Sequence, residues 1–147
     1  MKRMTLIVLA LVALSVLPPP LLAQSTAGLV TRFEITSTPI KELEFDVWAS
    51  SGGTAYDTTS LKFSGRLISL HVDPTARTVY APTDSFDVRV FDDLGYDILM
   101  GQGMNMDSST VNYKLEANLG AVRNSTLRLL VQNAGLDGSI KIRLLIK

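Results

Sequence analysis

The chain predicts an all-β domain. It is a single antiparallel β-sandwich, jelly-roll or immunoglobulin-like, of about seven to nine short strands behind an N-terminal hydrophobic leader. Three observations predict it. Apolar residues recur with period two over most of the chain beyond residue 23, as they do in strands half-buried on one face. Turn-forming Gly, Pro, Asp and Asn interrupt that alternation about every 8–12 residues, the spacing of sandwiches and barrels. No stretch beyond the leader keeps the 3.6 period of a helix, so helices should be few and short.

The leader comes first. Met1-Lys2-Arg3-Met4 is a short basic start, Thr5 to Leu17 is an almost unbroken apolar run, and Pro18-Pro19-Pro20 ends it. Proline lacks the N–H and clashes with the preceding turn, so no helix continues there. Leu21-Leu22-Ala23 then supplies a small residue before Gln24. Basic start, apolar middle and small-residue exit is the secretory pattern. The run falls short of the roughly 20 apolar residues of a spanning helix. Residues 1–23 are therefore a signal peptide or retained hydrophobic leader, and residues 24–147 are the sandwich domain, a length that can bury a two-layer core.

In the first strand Leu29, Thr31, Phe33 and Ile35 share one face, with Arg32 and Glu34 on the other. In the second, Leu43, Phe45, Val47 and Ala49 oppose Glu42, Glu44, Asp46 and Trp48. Ser50-Ser51-Gly52-Gly53 is a turn, since paired glycines tolerate positive φ. Thr54 to Phe63 alternates weakly. Arg66 to Val72 is clearer, with Ile68, Leu70 and Val72 aligned, and Asp73-Pro74-Thr75-Ala76 turns the chain. Arg77 to Pro82 is extended at most as an edge, because Pro82 cannot donate to a ladder.

The most distinctive text is Ala81 to Met106. Phe86, Val88 and Val90 alternate, Asp92-Asp93-Leu94-Gly95 turns, and Tyr96, Ile98 and Met100 extend again before Gly101 and Gly103 loosen the chain. This predicts a hairpin followed by a glycine loop. A polar, methionine-bearing loop, Met104 to Ser109, leads to a strand at Val111, Tyr113 and Leu115, then to a loop around Gly120. Leu127, Leu129 and Val131, then Ile140, Ile142, Leu144 and Ile146, are the cleanest strands. Asn133 to Gly138 between them is expected to be a hairpin turn.

Composition narrows the functions. Basic and acidic residues balance at 14 each, and the part beyond the leader stays close to neutral. With no basic block to neutralise phosphates, nucleic acid is not an expected partner. Cysteine is absent and His71 is the one histidine. Thiolate ligands, a lipid-bearing cysteine and a multi-histidine site within one chain are thereby excluded, and a secreted domain of this size can stand on its core alone.

The candidate chemistry is thin. Asp92, Asp93 and Asp97 beside Gly95 could offer oxygens to Ca²⁺, but Asp-rich turns commonly bond their own backbone. They are the weak metal candidates. Glu42, Glu44 and Asp46, continued by Trp48, offer paired carboxylates beside an aromatic, and their alternation fits the solvent face of a half-buried strand. His71 has no G-x-S-x-G serine to serve. Asn124-Ser125-Thr126 fits the N-glycosylation pattern. No catalytic set assembles and no cofactor is implied, so the chain is not expected to be an enzyme. Contact residues are more legible: Trp48, Phe91, Met104, Met106, Leu130 and Leu145 are the interface candidates, since aromatic and methionine side chains favour interfaces.

Two segments carry a resemblance. Phe86, Asp87, Asp92, Gly95, Asp97, Leu99, Gly101, Gly103 and Asn105 fit the pattern Y-D-I-x-L-x-D-E-x-G-x-D-x-L followed by G-x-G-x-N. Leu129, Val131, Asn133, Ala134 and Gly135 fit a final L-x-V-x-N-A-G hairpin, and Ser64 to Val72 with Pro74 is similar to the preceding strand. The chain thus resembles small bacteriophage virion structural proteins of β-sandwich fold, over about two-thirds of the region beyond the leader. The resemblance implies a capsid-decorating or tail-associated part, with protein partners: its own copies, as a homo-oligomer, or capsid and tail subunits. It implies a virion location. The leader departs from that pattern and implies export, secreted or periplasmic, if it is cleaved, with no stable membrane insertion afterwards. The other reading of the residues is a secreted or periplasmic module that holds a glycan, peptide or cell-surface partner.

Overall fold

The structure is a computed structural model that describes residues 28–36, 39–76 and 80–147. The leader, residues 1–23, and the stretch 77–79 of the expected extended segment lie outside the described residues. Nine strands follow one another: β1 (Leu29–Ile35), β2 (Lys41–Trp48), β3 (Ala55–Thr58), β4 (Phe63–Asp73), β5 (Asp87–Phe91), β6 (Asn112–Leu115), β7 (Ala121–Ser125), β8 (Arg128–Gln132) and β9 (Ser139–Ile146). A 3₁₀ turn spans Glu116–Asn118.

Two antiparallel sheets form a β-sandwich. The larger runs β1-β2-β9-β4-β6, with β7 also paired to β4, and the smaller runs β3-β8-β5. From β2 to β5 successive strands alternate between the sheets, and β7, β8 and β9 do so again. That alternation is the jelly-roll pattern. Its consequence is that β8 and β9 are not a hairpin. The segment Asn133 to Gly138 carries the chain across the sandwich, with positive φ at Asn133, Gly135 and Asp137. It is tied on both sides: Thr83 N–H donates to Ala134 O at 2.9 Å, and Ala49 N–H donates to Gly138 O at 2.9 Å. The same turn chemistry serves a hairpin and a sheet crossing. The partner strands decide which, and β9 finds eight-residue complementarity with β2.

The core lies between the sheets. Leu43, Phe45 and Val47 from β2 meet Ile140, Ile142, Leu144 and Ile146 from β9, and Leu67, Leu70 and Val72 from β4 complete that wall. Val88, Val90, Leu129 and Val131 face them from the smaller sheet. All of these side chains are fully buried. Burying apolar surface at about 25 cal/mol per Å² is the main favourable term for such a domain.

Other local differences have physical causes. The register of β4 against β9 shifts between Leu67 and Ser69. A bulge sets two residues against one, so Leu67 and Leu70 both enter the core and Ile68 is only half-buried. The second arm of the expected hairpin is not a strand. It makes one bridge, Asp97 to Phe91, and then coils through turns, with Met100 at φ 53°. Ile98 and Leu99 enter the core by that route. The segment returns beside β5, where Met106 bridges Phe86, and so fills the flank a fourth strand would take. Val88 N–H donates to Gly103 O at 2.7 Å, and a Cβ on Gly103 would lie 2.0 Å from Val88 O. The loop expected from 116 to 124 contains β7, which pairs with the start of β4.

The edge strands of the larger sheet differ most from the centre. β1 and β6 alternate as the sequence does, but their apolar faces point outward. Leu29 and Phe33 are 67 % exposed, and Tyr113 and Leu115 are similarly open. The inward positions of β1 hold Val30, Arg32 and Glu34 instead.

Candidate contact faces

The smaller sheet presents the clearest candidate. Its inward residues are Ala55, Leu129, Val131, Val88 and Val90, so the alternate positions form its outer face. Register aligns them in rows: Tyr56 beside Leu130 beside Arg89, and Thr58 beside Arg128 beside Phe91. The Arg128 guanidinium carbon stands 5.2 Å from the Phe91 ring centroid, a cation–π geometry. Arg89 Nη2 lies 3.9 Å from the Met104 sulfur, and its buried Nε has no hydrogen-bond partner among the described residues. A shallow hollow of about 510 Å³ opens over this face, floored by Leu130 and walled by Tyr56, Thr58, Phe91 and Arg128. Among the described residues no strand or helical turn lies over it.

A second hollow, about 340 Å³, adjoins the first across Thr58 and Arg128 and contains Asp92, Asp93 and Gly95. The aspartates close loops rather than converge. Asp92 Oδ1 accepts from the N–H groups of Leu94 at 3.0 Å and Tyr96 at 2.9 Å. Asp97 accepts from Leu99 and Gly101 N–H, each at 3.0 Å. Asp93 accepts the Thr126 hydroxyl, which holds its carboxyl below the usual value. Among the described residues no group of three or more His, Asp or Glu side chains is placed to hold a metal ion. Asp92 and Asp97 thus serve as acceptors for backbone N–H groups of their own turns, and Asp93 as the acceptor for Thr126. Gly95 has φ +84° with open space around its Cβ position, as the turn requires.

The interface candidates separate. Phe91, Leu130 and Met104 meet on the small-sheet face. Trp48 and Leu145 lie on the outer face of the larger sheet. Leu145 stands opposite Glu42 and Ser69, and Trp48 makes an edge contact with Tyr80, ring centroids 5.2 Å apart. Met106 is only 2 % exposed. Its candidacy for contact is corrected to core filling, because its bridge to Phe86 turns it under the loop. Arg89 and Arg128 were not among the candidates. Their grouping depends on the pairing of β3 and β5 with β8, which are far apart in the chain.

The outer face of the larger sheet is charged at its centre. Arg143 Nη2 donates to Glu44 at 2.6 Å, Arg143 Nε lies 2.7 Å from Glu42, and Lys141 lies 3.2 Å from Glu44. The hydrogen bond from Arg143 is the main cause that lowers the Glu44 pKa. The acidic face of β2 is therefore a structural ion-pair band. His71 sits beside it in register with Arg143 and edge-on to Tyr113. Asn124 of the glycosylation pattern is exposed at the end of β7.

No protein-family model matches the chain, and no curated protein or solved structure matches it either.

Proposed function

We propose that the chain is a non-enzymatic structural protein that assembles through its β-sandwich, with its own copies or on a larger particle, as the small bacteriophage virion proteins it resembles would. One observation carries this reading: the outer face of β3-β8-β5, where Tyr56, Phe91, Arg128 and Leu130 line one hollow and Met104 borders the face beside Arg89. Tyr, Phe, Met and Arg are the residues enriched at protein interfaces, and Lys, Glu and Asp the ones depleted there. Tyr56 and Arg128 are of the residue types enriched in interface hot spots. The jelly roll is compatible with the reading, being shared by viral capsid subunits and lectins, and is no more than compatible because one fold hosts many functions. The location that goes with it is the virion, or the exported space if residues 1–23 are cleaved.

The second reading is a secreted or periplasmic module that binds a glycan or peptide. The pairing of Trp48 with half-exposed Tyr80 favours it, since two aromatics at one sheet end make an amphipathic platform. Sedimentation from low to high concentration, with and without residues 1–23, tests the two. Assembly that Leu130→Asp abolishes, without loss of folded signal, supports the structural reading. A strictly monomeric protein that binds a sugar array through Trp48 overturns it.

A further inference from the structure

The outward apolar face of β1 lies on a strand with one open side. Among the described residues β1 has a single strand neighbour, β2, and no strand pairs with its other side. Such an edge is a template for a further strand. Leu29, Phe33 and Ile35 stand along it, exposed, and a small hollow of about 90 Å³ lies between Phe33, Ile35, Glu42 and Glu44. Edge strands are usually protected by short length, charge, proline, a bulge or inward-pointing charges, and the inward Arg32 and Glu34 of β1 are already ion-paired with each other. β1 is seven residues long, and its outward side chains are three large apolar groups and a threonine.

We propose that β1 is the interface between two copies of this chain, joined antiparallel about a two-fold axis at Phe33. The pairing rests on the reading above that the chain assembles with its own copies, and places at the β1 edge a two-fold contact separate from the outer face of β3-β8-β5. Opposite-charge pairing selects that register, since centring on Thr31 sets Arg32 against Val30 and Glu34 against Gly28, where neither meets its opposite. An antiparallel pair keeps like faces together only when a residue opposes itself or a position of the same parity. Centring on Arg32 sets Arg32 against its own copy, and centring on Glu34 sets Glu34 against its own. Like charges directly opposite destabilise a sheet. Centring on Phe33 sets Arg32 against Glu34 of the second copy and Glu34 against its Arg32. On the outer face Phe33 then meets Phe33, and Thr31 meets Ile35 twice. Opposite-charge and aromatic cross-strand pairs both stabilise sheets.

The geometry of Arg32 and Glu34 suits this. Arg32 bonds Asp57, Thr58 O at 2.6 Å and Ser60 Oγ at 2.7 Å, and its Nε lies 2.6 Å from Glu34. Glu34 also accepts Ser60 N–H at 3.1 Å. Both side chains are held in place before a second copy arrives, so docking orders few groups. A two-fold interface is closed, and joins the larger sheets of two copies into one continuous sheet without leading to filaments.

The chain has no cysteine, so introduced thiols report the register directly. In the full-length chain Phe33→Cys should form a disulfide-linked dimer on mild oxidation. The linkage should be at least about tenfold faster than for Leu94→Cys, an exposed loop control, because a preformed pair raises the effective thiol concentration. Thr31→Cys mixed with Ile35→Cys should link to each other faster than either links to itself, which tests the register without altering Phe33. Assembly in which none of these three variants becomes linked would overturn the pairing and leave the assembly reading standing. A chain that stays monomeric at every concentration overturns the pairing. If the thiol of Phe33→Cys then also resists a small thiol reagent, residues 1–27 of the same chain cover the stripe instead. Fast linkage of Phe33→Cys combined with self-linkage of Thr31→Cys or Ile35→Cys would overturn the register alone.

Discussion

β9 runs through the middle of the larger sheet and β1 along its margin, and both alternate apolar with charged residues. Ile140, Ile142, Leu144 and Ile146 are fully buried, while Leu29 and Phe33 on β1 are 67 % exposed. The difference lies in what each strand faces. β9 lies over the smaller sheet and meets its valines and leucines. β1 projects to the rim, where its inner face meets the edge of β3: the Asp57 carboxylate, the Thr58 carbonyl and Ser60. Polar groups at that rim need partners, since an unpaired buried polar group costs about 1–3 kcal/mol. Arg32 and Glu34 therefore turn inward and the apolar residues outward. β6 repeats the arrangement at the other margin, with Tyr113 and Leu115 outward and Asn112 bonded to Asp107 O and Thr110 O. Alternation thus identifies which residues share a face, and position in the sheet decides which face is buried.

The contrast between centre and rim can be broken at either place. At the centre, Leu129→Ala should cost about 2–5 kcal/mol in denaturant unfolding, as truncation of a fully buried leucine does. A cost under about half a kcal/mol would mean that β8 does not face the core. At the end of β5, Gly95→Val should lower stability by about 1 kcal/mol or more, because a β-branched residue is strained at positive φ. The space around Gly95 is open, so the effect isolates backbone conformation from packing. An unchanged melting temperature would remove that turn from the structure.

The ion-pair band gives a smaller, pH-dependent effect. Glu44 has a lowered pKa, chiefly through its hydrogen bond from Arg143. Its contribution to stability is therefore complete above the ordinary carboxylate value and lost as pH falls through the lowered one. Part of the acid-side loss of stability should disappear in Arg143→Met, measured as denaturant midpoints at stepwise lower pH. Equal acid sensitivity in both proteins would mean the band contributes nothing measurable, as exposed pairs often do. At the rim, Phe33→Ala at high dilution should change the stability of the single chain by less than about 0.5 kcal/mol. A core-sized loss would mean that β1 is buried after all.

Much of the fold was legible in the residues. Leu43, Phe45 and Val47, and the four apolar positions of β9, have the period and β-branched content that only a half-buried strand uses well. The Gly53 and Gly95 turns were legible for a similar reason, since positive φ selects glycine. The candidate contact face was legible in part. Phe91, Leu130 and Met104 have side chains unsuited to an open polar surface, while Arg128 and Arg89 resemble any solvated charge until register sets them beside Tyr56 and Phe91. Met106 was readable either as core or as contact, because a methionine in a polar loop carries no period to decide between them.

By itself the sequence determined the class of the domain, the alternation within its strands and the places where the backbone turns. These depend on chain geometry within a few residues. The tertiary structure alone decided that Asn133 to Gly138 crosses between sheets, that Ile98 to Met106 coils beside β5, and that β1 and β6 turn their apolar faces outward. Each of those depends on which strand becomes a neighbour. The neighbour is set by the summed burial and pairing of segments distant in the chain, which no local period encodes.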